Sequence, residues 1–184
     1  METDQIDLFI SQWSRERPDL DASPLAVVSR ILMLSRHLEF SADRALAPFG
    51  LTLWQFDVLA ALRRSGAPFK LSPTQLMGFV TLSSGAMTNR IDRLEEMGLV
   101  RREEDPDDRR GVLITLTPEG RKLVDQAIAV RLEDARRNLA TYTKTDEKVV
   151  AALLRRLLVV FQGTGVGGSA SRRRLARANG FASQ

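Results

Sequence analysis

The sequence predicts a mainly α-helical fold carrying one small β-hairpin, and three observations lead there. Apolar residues recur at three- and four-residue spacings along most of the chain. A capping residue followed by proline marks helix starts at Ser23-Pro24, Ser72-Pro73 and Thr117-Pro118. Strict alternation is confined to LVRRE and GVLITLT, on either side of the charged knuckle EDPDDRR.

In chain order, Asp4 to Arg15 places Ile6, Phe9, Ile10 and Trp13 on one helical face before RPDLDASP interrupts it. Ser23, as N-cap, opens a long helix to about Ala47, which Pro48, Phe49 and Gly50 end. Leu51 to Arg64 is apolar around most of its circumference and belongs in the core. A short helix runs from Ser72 through Val80. SSGAMTNRIDRLEEMG forms the next, with Gly98 as its stop. The hairpin follows, then a helix from Thr117 to about Tyr142 and a last one from Thr145 to Phe161. No internal repeat is present.

A chain of 184 residues can bury one core with appendages. The absence of cysteine excludes disulfides, thiolate catalysis and cysteine-based metal sites, and suits a reducing compartment. His37 is the lone histidine, so one chain assembles neither a histidine metal cluster nor a Ser-His-Asp triad. No enzymatic activity, cofactor or metal is expected. No apolar run is long enough to span a bilayer and the N-terminus lacks a basic signal region, so no membrane association and a cytoplasmic, nucleoid-associated location are expected. Residues 163–184 hold four arginines and no acid, and supply the whole net charge of +4. That Gly- and Ser-rich tail reads as mobile, either touching phosphates or simply solvated.

Two short helices joined by a tight turn form a helix-turn-helix, and the hairpin after them is its wing. The predicted fold class is therefore a winged helix-turn-helix, dimerising through its N- and C-terminal helices. Residues 1–16 are an added helix, 23–50 and 117–162 the dimerisation helices, 51–116 the DNA-binding domain and 163–184 the tail. Val149, Val150, Leu153, Leu154, Leu157, Leu158 and Phe161 spread wider than one small core covers, which points to a homodimer. On a helical wheel Met87, Ile91, Leu94 and Met97 share a sector of about 120° that faces inward. Thr88, Asn89 and Arg93 are the expected base-edge or near-base contacts, since Asn pairs bidentately with adenine and Arg with guanine. Ser83 or Ser84 caps this helix and directs its N–H groups at a phosphate. Ser72, Thr74 and Gln75 at the preceding helix start, and Arg109 and Arg110 at the wing tip, complete the DNA-facing set. An ordinary solvated hairpin tip is the competing reading of the wing.

Two charges sit in apolar surroundings. Arg90 lies at about 300° on the same wheel, inside the apolar stripe, where a guanidinium needs an anion or a wet pocket. Asp57 interrupts LWQFDVLAAL and also needs a partner, either in a structural salt bridge or at an exposed helix edge. Trp54 reads as core, and His37 as a packed or partly exposed helix residue.

The stretch LSPTQLMGFVTLSSGAMTNRIDRLEEMGLVRREEDPDDRRGVLITLTPEG resembles the MarR family of winged helix-turn-helix regulators, with similarity over roughly residues 23–162. The resemblance implies an obligate homodimer, a pseudo-palindromic double-stranded DNA operator and release of DNA when a small molecule binds. The urate-responsive subgroup similar to PecS and HucR has an added N-terminal helix with a tryptophan, matched here by Trp13. It also has an aspartate before the helix-turn-helix (Asp57), an arginine after the recognition-helix asparagine (Arg90) and an arginine on the first wing strand (Arg102). That resemblance implies a pocket where Trp13 stacks on a purine, Arg90 holds an anionic oxygen and Asp57 pairs with Arg102 until ligand intrudes. A repressor released by urate or a related purine is the resulting expectation. A regulator of the same fold sensing an aromatic carboxylate, citrate-like acid or phenol, and a ligand-independent DNA binder, are the alternatives.

Overall fold

A computed structural model describes residues 3–79, 84–106 and 108–163. Among these residues seven α-helices and three short strands succeed one another: α1 (Gln5–Glu16), α2 (Leu25–Leu46), a 3₁₀ turn (Ala47–Phe49), α3 (Leu53–Arg64), β1 (Lys70–Leu71), α4 (Pro73–Phe79), α5 (Ser84–Glu96), β2 (Val100–Asp105), β3 (Asp108–Leu116), α6 (Pro118–Asn138) and α7 (Lys144–Gly163). The predicted class, mainly α with a hairpin wing, is the observed one. Ser83, Asp107 and residues 164–184, most of the tail, lie outside the described residues.

The core forms around α3, as its apolar circumference demands. Phe56, Val58, Leu59 and Leu62 pack with Leu46 of α2, Leu76 of α4, Met87, Ile91 and Leu94 of α5, Ile114 of β3 and Val124 and Ala127 of α6. Thr52 and Gln55 form a capping box at the start of α3, and the Leu53 N–H donates to Asp43 Oδ1 at 2.6 Å. At its far end α5 stops at Gly98, whose φ of +70° suits a residue without Cβ, while the Leu99 N–H reaches back to the Leu94 carbonyl.

The wing is a three-stranded antiparallel sheet in the order β1-β3-β2, so the hairpin gains a third strand that periodicity did not foretell. Two residues, Lys70 and Leu71 opposite Thr115 and Ile114, are too few to show alternation. The strands extend to Asp105 and Asp108, so Arg109 and Arg110 lie in the first residues of β3 and not on the turn itself.

Other boundaries move for identifiable reasons. Ser23 does not cap α2: its N–H is held by Asp21 Oδ1 and the helix begins after Pro24 with no side-chain cap. Helix α6 ends at Asn138, four residues before Tyr142, because a turn at Leu139 gives way to a new capping box between Thr143 and Asp146 that opens α7 at Lys144. Met97 is 43% exposed, against the inward position its wheel angle suggested, since α5 has ended by Glu96 and the left-handed turn redirects the chain.

Helix α1 docks on α2 through Arg30, which bonds Asp4 at 2.8 Å and Asp7 at 2.7 Å. The Arg30 hydrogen bond foremost holds Asp4 below the usual carboxylate range; a backbone hydrogen bond from Asp4, then Arg30, does so for Asp7. A depressed folded-state pKa gives stability present above the ordinary value of 3.8 and lost as pH falls through the lowered one. Acidification is thus expected to detach α1, read as a shift in Trp13 emission in a Trp54→Phe background. Below Glu147, α7 leaves every residue from Lys148 to Gln162 exposed, and Val28, Leu32 and Phe40 of α2 are exposed as well. Among the described residues no single helix is long and apolar enough to cross a membrane.

Candidate nucleic-acid interface and effector site

Helix α4 starts with a reciprocal capping box: the Ser72 N–H donates to Gln75 Oε1 at 2.8 Å and the Gln75 N–H to Ser72 Oγ at 3.2 Å. Thr74 is exposed beside it. Helix α5 buries Met87, Ile91 and Leu94 and exposes Thr88, Asn89 and Arg93, the division its periodicity predicts. Ser84 opens α5 and Arg109 and Arg110 enter β3, but their side chains lie outside the described part of the molecule.

Arg102 corrects the expected switch pair. Its guanidinium bonds Asp92 and Glu95, and its N–H donates to Glu95 Oε1 at 2.9 Å. Two carboxylates one helical turn apart on α5 capture the β2 arginine, because the tight Gly98 turn folds β2 back beside the helix that precedes it. Arg102 therefore clamps the wing to the recognition helix, and Asp57 has no cation within ion-pair distance among the described residues. This pairing joins residues 10 and 7 apart in sequence, so the i, i+3 spacing of Asp92 and Glu95 was the signal available for it.

Asp57 and Arg90 interact through their charges without forming an ion pair. Asp57 is half-buried on α3, and burial raises its carboxyl above the ordinary value, opposed first by Arg131, then by Arg64 and Arg90. Arg90 is half-buried as well, with its guanidinium 4.8 Å from the Trp54 ring centroid. Trp54, three residues before Asp57 on α3, is thus a partly exposed stacking platform and not a core residue. The stripe position of Arg90 is resolved by an aromatic face plus a nearby carboxylate. Trp13 of α1 is 51% exposed, and no ring contact or hydrogen bond joins its side chain to Asp57 or Arg90 among the described residues. His37 is exposed on α2.

Sequence reasoning missed Arg131, Asp134 and Ser41. Asp134 of α6 is 4% exposed, accepts from Ser41 Oγ at 2.6 Å and pairs with Arg131 at 3.2 Å. The phase was readable, since Arg131 and Asp134 continue the buried line of Val124 and Ala127, but the Ser41 partner is 93 residues away.

Because its folded-state pKa is raised, Asp57 lends stability only below the ordinary value of 3.8, and that contribution is lost as pH rises through the folded value. Ionised Asp57 is a net cost at neutral pH. Asp57→Asn is expected to raise the urea midpoint at pH 7, with the gain closing as acid protonates the wild-type carboxyl; paired denaturation curves at pH 7 and pH 4 check it.

A family model described as MarR family matches residues 49–111, from the end of the 3₁₀ turn to the start of the wing's return strand. The chain is 35% identical over 149 residues to the HTH-type transcriptional regulator PecS of Dickeya dadantii, a span covering 81% of this chain and 90% of that protein. The chain belongs to the MarR family. The multiple antibiotic resistance protein MarR of Salmonella typhimurium is 30% identical over 129 residues, covering 70% of this chain and 88% of the relative. A cysteine-to-serine variant of E. coli MarR, solved in complex with operator DNA, superposes with a TM-score of 0.68 at 25% identity, covering 79% of this chain and 97% of that one. As a MarR-family protein it is a DNA-binding transcriptional regulator, not an enzyme.

Proposed function

We propose that this protein is a homodimeric repressor that leaves a pseudo-palindromic operator when urate or a related oxidised purine binds beside Asp57. The observation that carries this reading is Arg90: built into α5, stacked on Trp54 and close enough to Asp57 to act on its titration, it links a polar site in the core to the DNA-reading helix. A planar anion is drawn to the guanidinium and repelled by the carboxylate, so occupancy pulls on α5. Coupling of about 1–3 kcal/mol would weaken operator binding roughly 5- to 150-fold. The 35% identity to PecS supports the subgroup.

On DNA, Asn89 and Arg93 read base edges with Thr88 beside them. Ser72, Thr74, Gln75, Ser83, Ser84, Arg109 and Arg110 meet the backbone or minor groove. Such a regulator works in the cytoplasm at the nucleoid. A second reading, an aromatic carboxylate as effector, is favoured by the exposure of Trp13 and the capture of Arg102 by α5.

An operator gel shift titrated with urate and with a panel of aromatic acids tests the proposal. Release by urate in the wild type and its loss in Asp57→Ala supports it; unchanged affinity at millimolar urate refutes it. Asn89→Ala and Arg93→Ala are each expected to cost about 1–3 kcal/mol of operator binding and to relax base preference at one position, read by competition with single-base operator variants.

A further inference from the structure

We infer that a cleft on the face of the wing turned away from the recognition helix is a second ligand site, built for a small molecule with two or more anionic groups. This goes beyond the effector reading above and shares no residue with it.

Side chains alternate across a strand, so Arg102, which bonds Asp92 and Glu95 of α5, and its neighbour Arg101 point to opposite faces of β2. Cross-strand register puts Lys70 of β1 and Thr115 of β3 level with Arg101, on that opposite face. The start of α6 forms the other wall of a cleft of about 600 Å³, a size ordinary for small-molecule sites. Lys70 and Arg101 line its sheet side, and Arg121, Lys122 and Asp125 its helix side.

The charge of this cleft is unbalanced. Glu103 is shared by Lys70 and by Arg101 at 2.6 Å, and Asp125 by Arg63 at 2.7 Å and Arg121 at 3.9 Å. Lys122 has no ion pair among the described residues, so five cations stand against two carboxylates. Ion pairs this open to solvent are weak, and an incoming anion recruits their cations at little cost.

Two further residues mark the cleft as built for an occupant. Phe69 holds φ at +61°, a left-handed conformation costly for a residue with a Cβ; its N–H donates to the Gly66 carbonyl at 2.6 Å and its carbonyl accepts from the Leu116 N–H at 3.1 Å. Its ring takes the guanidinium of Arg121 at 4.9 Å and that of Arg63 at 5.3 Å, which preorganises the helix side. Thr115, also in the lining, is 4% exposed. Its hydroxyl makes no hydrogen bond of ordinary geometry among the described residues and lends Glu103 only a minor pull, after Lys70 and Arg101. A buried donor of this kind calls for an acceptor, which an anionic oxygen in the cleft supplies. A concave site behind the wing suits a small ligand better than a DNA backbone, and an occupant touching both walls braces β1 and β2 against α6.

The test uses the full-length protein, with pyrophosphate and citrate as probes against sodium chloride of equal ionic strength. Calorimetry is expected to show one saturable site per chain for at least one probe, and methyl NMR a shifted Thr115 signal on saturation. Arg101 and Lys122 are exposed, so replacing both leaves the fold intact. Arg101→Gln with Lys122→Gln is expected to weaken binding at least about tenfold, while Arg17→Gln with Arg136→Gln, an equal loss of exposed charge elsewhere, leaves it unchanged. Saturation by neither probe below about 10 mM, or equal weakening in the two double variants, overturns the inference. Operator titrations against salt identify the rival source of anionic oxygen: a salt slope lower by about two in Arg101→Gln with Lys122→Gln, without saturation by either probe, assigns these cations to DNA phosphates and overturns it as well. None of these readouts involves urate or Asp57, so failure of the effector reading leaves them unaffected.

Discussion

Gly120→Ala is expected to destabilise the protein by about 3 kcal/mol, the upper end of the range for overpacking. A Cβ at residue 120 would lie 2.1 Å from the Leu99 carbonyl oxygen, 2.9 Å from its carbon and 3.0 Å from Leu116 Cδ1. Two of those atoms are backbone and cannot rotate aside. The obstruction also falls on a junction. The Thr117 hydroxyl accepts from the Gly120 N–H at 3.0 Å and faces the Gly98 and Leu99 carbonyls at 2.8 and 3.1 Å, and the Thr117 N–H donates to Leu99. The end of α5, the start of β2, the end of β3 and the start of α6 thus meet within one small cluster. Relief requires α6 to back away from the wing, so operator affinity should fall with stability. Thermal melting should drop by roughly 6–12 °C for a chain of this size. A variant melting within a degree of wild type would show that the junction yields at little cost.

Leu154→Glu with Leu157→Glu is expected to produce a monomer that binds operator at least about a hundredfold more weakly. A single helix of 20 residues is marginal in water unless it buries a face, and α7 is exposed at every residue from Lys148 to Gln162. Val149, Leu153, Leu154, Leu157 and Leu158 supply an apolar surface that is left exposed among the described residues. A second copy meeting it about a two-fold axis would space two α5 helices by one turn of DNA, about 34 Å. Placing carboxylates in that interface removes the second half-site contact and with it the avidity. Sedimentation gives the mass and a gel shift the affinity; a double variant that remains dimeric with unchanged operator binding would mean that α7 packs elsewhere.

Local rules were enough wherever a residue's neighbours in space are its neighbours in sequence. The buried stripe Met87, Ile91, Leu94 follows from a 3.6-residue period, the stop at Gly98 from its lack of a Cβ, and the burial of α3 from its apolar circumference. The same rules failed one residue beyond a helix end, at Met97, and at Ser23, since α2 starts after Pro24 with no side-chain cap.

Family, fold class and the exposed reading face of α5 were therefore determined by the sequence alone, because each depends on spacing within about one or two helical turns. Which charges meet was decided only by the tertiary structure. Arg102 turned to Asp92 and Glu95, Asp57 was left without an ion pair among the described residues, and Asp134 found Ser41 across 93 residues. Electrostatic partners are chosen by distance and burial after the helices have packed, and no sequence period encodes either.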